Sequence, residues 1–405
     1  MTGAAHPTSV RTQPAPPIED LRCALERRRS DGLVRVRRTV ESAQGPRVRV
    51  DGRACVSFAS NDYLCLAGDA AVAAALREGL ARWGTGAGAS HLVCGHFTPH
   101  EALERELATF VAPCDGARAL LFSTGYLANL AVLSALAGRG DAIFADRRNH
   151  ASLNDGMLLS RARFVRYAQP GATALRTRLA TIRARRKLIA TDAVFSMDGD
   201  LAMLPQLLEL AEAFDALLVV DDAHGFGVLG EGRGSVAHFE LASERIVYMG
   251  TLGKAAGVAG AFVAAHPVII ETLLQTARPY IYTTAAPPVL ACALRAALDS
   301  VREDAPRRAR LFANMQRFRA GARALPWTLA PSPTAIQPLI IGPNAATLAL
   351  SDALFERGLW VPAIRPPSVP QGSARLRISL SSAHSADDID QLLSALHEIA
   401  QRGSR

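Results

Sequence analysis

Leu217-Leu218-Val219-Val220-Asp221-Asp222-Ala223-His224-Gly225 is a short apolar run that ends on two carboxylates and an imidazole. A run of this length, bounded by polar residues and glycine, reads as a buried strand. Its carboxylates stand where the chain leaves the core, a position that serves either a ligand contact or a helix cap. Strand alternation puts Asp221 and Ala223 on one face and Asp222 on the other, so the choice between the two aspartates is open by one residue. Downstream, Tyr248-Met249-Gly250-Thr251-Leu252-Gly253-Lys254-Ala255-Ala256-Gly257 brings a second apolar run to a lysine. Most lysines are surface groups, but glycine and alanine neighbours leave this one open to a planar ligand.

Further apolar runs lie at Ala119–Phe122, Ala142–Ala145, Leu188–Val194 and Ile246–Met249, with helical stretches between them. Such alternation from Ser57 to Ala293 predicts an α/β fold with a mainly parallel central sheet covered by helices on both faces. Ligands of such sheets bind at the carboxyl ends of the strands. After Leu294 come a helix, strands at Ile336–Ile341 and Leu376–Ser379, and a last helix near Ala386–Gln401, which predicts a smaller C-terminal α+β domain. The expected division is a loose proline-bearing tail at 1–18, an N-terminal segment at 19–56, a large domain at 57–293 and a small one at 294–405. An amphipathic helix is expected from about Ile18 to Arg38. Thr98-Pro99-His100-Glu101 predicts a capping box with Thr98 as the N-cap.

Composition narrows the function. The chain has 405 residues, 49% hydrophobic and 20% charged, which suits two or three globular units. Its longest apolar stretch, Val258 to Ile270, is broken by Gly260, His266 and Pro267 and is shorter than the ~20 residues of a membrane span. No apolar signal core opens the sequence, so a cytoplasmic protein is expected, without a membrane partner. Cys23, Cys55, Cys65, Cys94, Cys114 and Cys292 form no C-x-x-C pair, which argues for reduced thiols and against a metal or disulfide framework. The net charge of +8 comes largely from arginines in Arg22–Arg53 and Arg161–Lys187. No nucleic-acid-binding pattern accompanies them, so no nucleic-acid partner is expected. They read as solvated faces, or as attraction for an acidic substrate such as a coenzyme A thioester or an acidic carrier protein.

Four motifs remain. Gly84-Thr85-Gly86-Ala87-Gly88 follows a helical stretch, not a strand, which counts against a dinucleotide fingerprint. Leu120-Leu121-Phe122-Ser123-Thr124-Gly125-Tyr126 runs from a strand through small residues into a helix; its free N–H groups at Gly125 and Tyr126 suit a phosphate, or form an ordinary turn. His150, in Asp146-Arg147-Arg148-Asn149-His150-Ala151-Ser152, is either structural or placed to stack on a ring. Ser196, in Val194-Phe195-Ser196-Met197-Asp198-Gly199-Asp200, follows a buried strand at a crevice position. A lysine, a strand-end carboxylate and an imidazole together form the set that holds pyridoxal 5'-phosphate (PLP) and uses its ring as an electron sink.

These segments, with Ser60-Asn61-Asp62-Tyr63-Leu64, Gly230-Glu231-Gly232-Arg233-Gly234 and Tyr282-Thr283-Thr284-Ala285-Ala286-Pro287-Pro288, make the chain resemble the α-oxoamine synthases, PLP enzymes of fold type I. The resemblance covers about residues 20–400. It implies Lys254 as the Schiff-base lysine and the catalytic base, and Asp221 as the partner of the pyridine nitrogen. It also implies His150 stacked on the ring, Ser196 and His224 on the phenolic oxygen, and Gly125, Tyr126 and Thr251 on the phosphate. Arg35, His150 and Ser368 match substrate contacts, with Ser368 standing where threonine is common; Arg377 matches the group that holds the amino-acid carboxylate. Ala363-Ile364-Arg365-Pro366-Pro367-Ser368-Val369-Pro370, with Arg375-Leu376-Arg377, resembles the version that condenses L-alanine with a pimeloyl thioester, carried on coenzyme A or acyl carrier protein. Glycine- and serine-using members of the family are the alternative. A homodimer is implied, with Thr283 or Thr284 reaching the other subunit's phosphate. His91 and His96 fall where the family varies and receive no role.

Overall fold

The computed structural model describes residues 16–168 and 172–403. Most of the tail expected at 1–18 therefore lies outside the described residues. The central sheet has seven strands: β1 (Arg118–Phe122), β2 (Ala142–Asp146), β3 (Arg163–Tyr167), β4 (Lys187–Asp192), β5 (Ala216–Asp221), β6 (Ile246–Thr251) and β7 (Ala261–Ala265). Their spatial order is β1-β7-β6-β5-β4-β2-β3. β7 runs antiparallel to both its neighbours, while the other pairs are parallel. The mainly parallel sheet read from the sequence is therefore present, with one reversed strand inside it.

The apolar runs form strands because both of their faces are covered. Ile189, Leu218 and Val220 pack in one buried cluster, while Leu188, Val219 and Val247 pack in another on the opposite face. Leu218 is fully buried, so truncating it to alanine would cost about 2–5 kcal/mol. The second cluster contains Ala128, Ala131, Val132 and Leu133 of the helix Gly125–Leu136, which covers the sheet beside the strand ends.

Register decides which side chains meet. Asp192 at the end of β4 pairs with Asp221 at the end of β5, and Asp221 pairs with Met249 on β6. The ends of β4 and β5 therefore arrive at one level, beside Met249 near the end of β6, with about 4.8 Å from strand to strand. A second sheet of four strands contains Ile336–Gly342 and Ala374–Ser379. It carries Arg377 toward the same end of the central sheet, where its guanidinium reaches the carbonyl of Ser196.

Several local expectations shift. β7 is all apolar and flows into the helix Pro267–Thr276, so periodicity alone could not separate strand from helix. β3 was hidden in the basic cluster: it is an edge strand whose Arg163 and Arg166 face solvent. The first helix spans Pro17–Ser30 and stops well before Arg38, because Asp31-Gly32 turns the chain with Gly32 at φ 64°. Residues 33–38 have no regular structure, and Arg35 lies there. The hairpin Arg47–Val50/Arg53–Ser57 was missed, although Asp51-Gly52 carries the positive φ angles such a turn needs.

The helix expected to start after Thr98 spans Thr98–Val111, with Phe97 at the N-cap. His100, not Thr98, supplies the polar contact: its Nδ1 accepts the Phe97 N–H at 3.1 Å. His91, His96 and His100 cluster here, with His91 and His96 sharing a hydrogen bond between their Nδ1 atoms at 2.9 Å. The Nδ1 lone pair of His100 is committed to the cap.

Candidate active site

A cavity opens at the carboxyl ends of β4, β5 and β6. It is lined by Lys254, Asp221, His224, His150, Ser196, Thr251, Gly125 and Tyr126, all singled out in the sequence. Asn129, Ser152 and Asp192 also line it and were not.

Asp221 and Asp222 separate as strand alternation requires. Asp221 lines the cavity; its Oδ2 accepts the Asn129 side-chain N–H at 2.6 Å and its Oδ1 accepts the Ala223 N–H at 3.0 Å. Asn129 also donates to Ser152 Oγ at 2.9 Å, which ties the helix Gly125–Leu136 to the next one. Asp222 is turned to the other face and accepts from Ser235 and Tyr248. The ambiguity of one residue is thereby resolved: Asp221 is the group available to a ligand.

Lys254 Nζ lies 2.9 Å from His224 Nε2, and His224 Nδ1 lies 2.7 Å from the Tyr63 hydroxyl. Burial brings the ammonium of Lys254 down to about 8, against the opposing pull of Asp221. Burial also holds His224 well below the ordinary imidazole range, with Lys254 and Arg377 adding to the effect. A neutral His224 is one donor and one acceptor, so the Tyr63–His224–Lys254 chain passes a single hydrogen-bond direction along its length. Tyr63 belongs to a motif noted in the sequence but was given no role there.

His150 caps the helix Ala151–Ser160, its Nδ1 accepting the Ser152 N–H at 3.3 Å, and that contact fixes the ring at the cavity wall. Its own backbone N–H donates to Asp192 Oδ2 at 2.9 Å. Opposite, the helix Gly125–Leu136 points its N-terminus into the cavity, with Thr124 Oγ1 accepting the Leu127 N–H at 3.2 Å. The first N–H groups, at Gly125 and Tyr126, are left for an anion. A Cβ on Gly125 would lie 3.8 Å from Thr251 Oγ1, so the helix start and Thr251 form one corner. The Tyr126 hydroxyl is bonded to Asp155, so its backbone rather than its ring serves that corner.

Arg377 is buried beside the cavity without lining it. Its Nε donates to Ser196 O at 2.7 Å, and its Nη1 donates to Asn61 Oδ1 at 3.1 Å and Ser379 Oγ at 2.8 Å. Arg35 and Ser368 are not in the cavity. They line a neighbouring hollow with Arg365, whose guanidinium donates to the carbonyls of Gly32 and Val34. Ser368 also borders a larger cleft that includes His150 and Ser196, so the two spaces meet.

The donor set fits PLP. An anion corner at Gly125, Tyr126 and Thr251, a strand-end carboxylate at Asp221 and a buried amine between them match its phosphate, ring nitrogen and aldehyde in turn.

Comparison with known proteins agrees. The aminotransferase class I and II family matches residues 53–396. An 8-amino-7-oxononanoate synthase of Dechloromonas aromatica is 57% identical over 389 residues, covering 95% of this chain and 100% of that one. The chain belongs to the 8-amino-7-oxononanoate synthase family. A second member, from Herminiimonas arsenicoxydans, is 56% identical over 93% of this chain and 98% of its own length. Among solved structures, the family's representative from Francisella tularensis superposes with a TM-score of 0.75 at 32% identity, covering 87% of this chain and 99% of that one. A Sphingomonas wittichii serine palmitoyltransferase superposes with a TM-score of 0.87 at 31% identity, covering 96% and 97%. The chain is thus a PLP-dependent acyltransferase of fold type I, with the α/β core and smaller C-terminal sheet expected from its sequence.

Proposed function

We propose that this chain condenses L-alanine with a pimeloyl thioester, releasing carbon dioxide and the free thiol and forming 8-amino-7-oxononanoate for biotin biosynthesis. The observation that carries the reading is one cavity holding Lys254, Asp221, His150 and His224 in a chain 57% identical to such a synthase. Bound PLP supplies the electron sink for charge that develops on the amino-acid Cα.

The protein's own groups do the rest. Lys254 would anchor the cofactor through its amine, and Nζ is the group that would take the Cα proton. An amine near 8 is mostly protonated at neutral pH yet close enough to its base form to exchange a proton. His224, neutral and hydrogen-bonded to Tyr63, holds Nζ in place and shares the phenolic oxygen with Ser196. Asp221 keeps the ring nitrogen protonated, and its contacts to Asn129 and Ala223 fix the carboxylate for that purpose. His150 covers one ring face. Gly125, Tyr126 and Thr251 take the phosphate. Arg377 holds the alanine carboxylate, which orients the Cα–H bond. Arg35 and Ser368 contact the acyl donor where the hollow they line meets the cleft beside His150.

The protein is read as cytoplasmic and homodimeric. The helix Pro17–Ser30 exposes Ile18, Leu21 and Leu25, apolar groups that a second subunit would cover. Thr283 or Thr284 reaches the other subunit's phosphate. The acyl carrier is coenzyme A or acyl carrier protein. Glycine- or serine-using chemistry is disfavoured, since the serine palmitoyltransferase neighbours are about half as identical to this chain.

Mass spectrometry of the product tests the reading, with alanine, glycine and serine in competition and pimeloyl and acetyl thioesters both present. The mass of 8-amino-7-oxononanoate should dominate. A glycine- or serine-derived ketone would overturn the substrate assignment and leave the cofactor chemistry intact.

A further inference from the structure

Asp192 is a carboxyl group of the cavity to which the mechanism gives no task. It ends β4 in register with Asp221, so two carboxyls emerge side by side from neighbouring strands. Its Oδ2 accepts the His150 N–H, and the Asn149 side chain holds its backbone. Its Oδ1 is buried without a hydrogen-bond partner, in a residue that lines the cavity and is only 4% exposed. A buried carboxylate oxygen without a donor is costly, more so beside a second carboxylate. A proton on that oxygen removes both costs and turns it into a donor.

We propose that Asp192 is a hydrogen-bond donor of the active site, a neutral carboxylic acid that gives its proton to the phenolic oxygen of the bound cofactor. The inference rests on the PLP reading above. The phosphate belongs to the helix start at Gly125 and the ring nitrogen to Asp221, so Asp192 joins Ser196 and His224 as a third partner of the phenolic oxygen. Asp192 and Ser196 lie on the same chain segment, so both reach the cavity from one side, with His224 arriving from β5. The charged surroundings agree. Burial raises Asp192 well above the carboxylate range; Asp221 and Asp146 push the same way, while the His150 N–H and Lys254 oppose them.

The experiment compares the wild-type holoenzyme with Asp192→Asn and Asp192→Ala. Asparagine keeps an oxygen for the His150 N–H and presents an N–H to the cavity, so it copies a protonated carboxyl without the charge. An infrared difference spectrum between wild type and Asp192→Asn at neutral pH should show a protonated-carboxyl band that shifts in heavy water. PLP affinity, read from cofactor absorbance, should stay within about threefold in Asp192→Asn and weaken roughly tenfold or more in Asp192→Ala. Absence of the band, or equal loss in both variants, would make Asp192 an ionised counter-charge and overturn the proposal. Should the wild type fail to bind PLP, the reading beneath falls with it; that case is recognisable because the band needs no cofactor.

Discussion

Replacing Asp222 by alanine should unfold the protein far more readily while leaving the cavity's own groups in place. Asp222 accepts the Ser235 N–H at 2.6 Å and the Tyr248 hydroxyl at 2.9 Å on Oδ2, and the Ser235 hydroxyl at 2.5 Å on Oδ1. All three donors are buried. The surroundings are tight as well: a Cβ on Gly225 or Gly234 would fall 2.1 or 2.2 Å from these oxygens. Alanine orphans three buried donors at about 1–3 kcal/mol each. They share one carboxyl and relax together, so the expected loss is about 3–6 kcal/mol, a large part of the 5–15 kcal/mol that holds a typical protein together. Asp222→Asn keeps one oxygen, and the Ser235 hydroxyl can turn to accept from the new amide, which limits the loss to about 1–2 kcal/mol. Urea unfolding followed by circular dichroism gives both values. A loss below ~1 kcal/mol in Asp222→Ala, or identical losses in the two variants, would refute the argument that this carboxyl is an acceptor hub.

Two further outcomes depend on pH. Glu104 is buried, accepts the Leu121 N–H at 2.8 Å and is pushed by burial from 4.5 up to about 8. An acid raised on folding favours the unfolded chain as it ionises there first, so stability should fall between about pH 4.5 and 8 by as much as ~5 kcal/mol. Glu104→Gln should remove that slope, and a wild-type-like slope in the variant would contradict the assignment. Lys254, brought down to about 8, must be neutral to capture PLP covalently, so the capture rate should rise roughly fivefold from pH 7 to pH 8 and then level off. Stopped-flow absorbance measures it; a tenfold rise continuing beyond pH 9 would show an unperturbed lysine.

Much of the site was legible in the chain because strand ends are where open α/β sheets place their chemistry. An apolar run that stops at Asp221, and another that leads to Lys254, could be read by period and burial alone. Asp192 obeys the same rule at the end of β4, but it falls inside Leu188–Val194 as a lone charged residue and gives no signal without knowledge of where the strand stops. Asn129 lies on a buried helix among apolar residues, and its contact with Asp221 spans 92 positions of sequence. Tyr63 and His224 are separated by 161. No local pattern encodes such pairings.

Residue types and their period were enough to determine the parallel α/β core, the phosphate-suited turn at Gly125 and the candidate amine and carboxylate, because these depend on backbone geometry over a few residues. The tertiary structure placed Asp221 and not Asp222 on the cavity wall, and it alone decided that Tyr63 and His224 line up on Lys254, that Arg377 is held against Ser196, and that Asp192 sits beside Asp221. Each of these depends on strand register and on dense packing, where a shift of one residue turns a side chain to the opposite face.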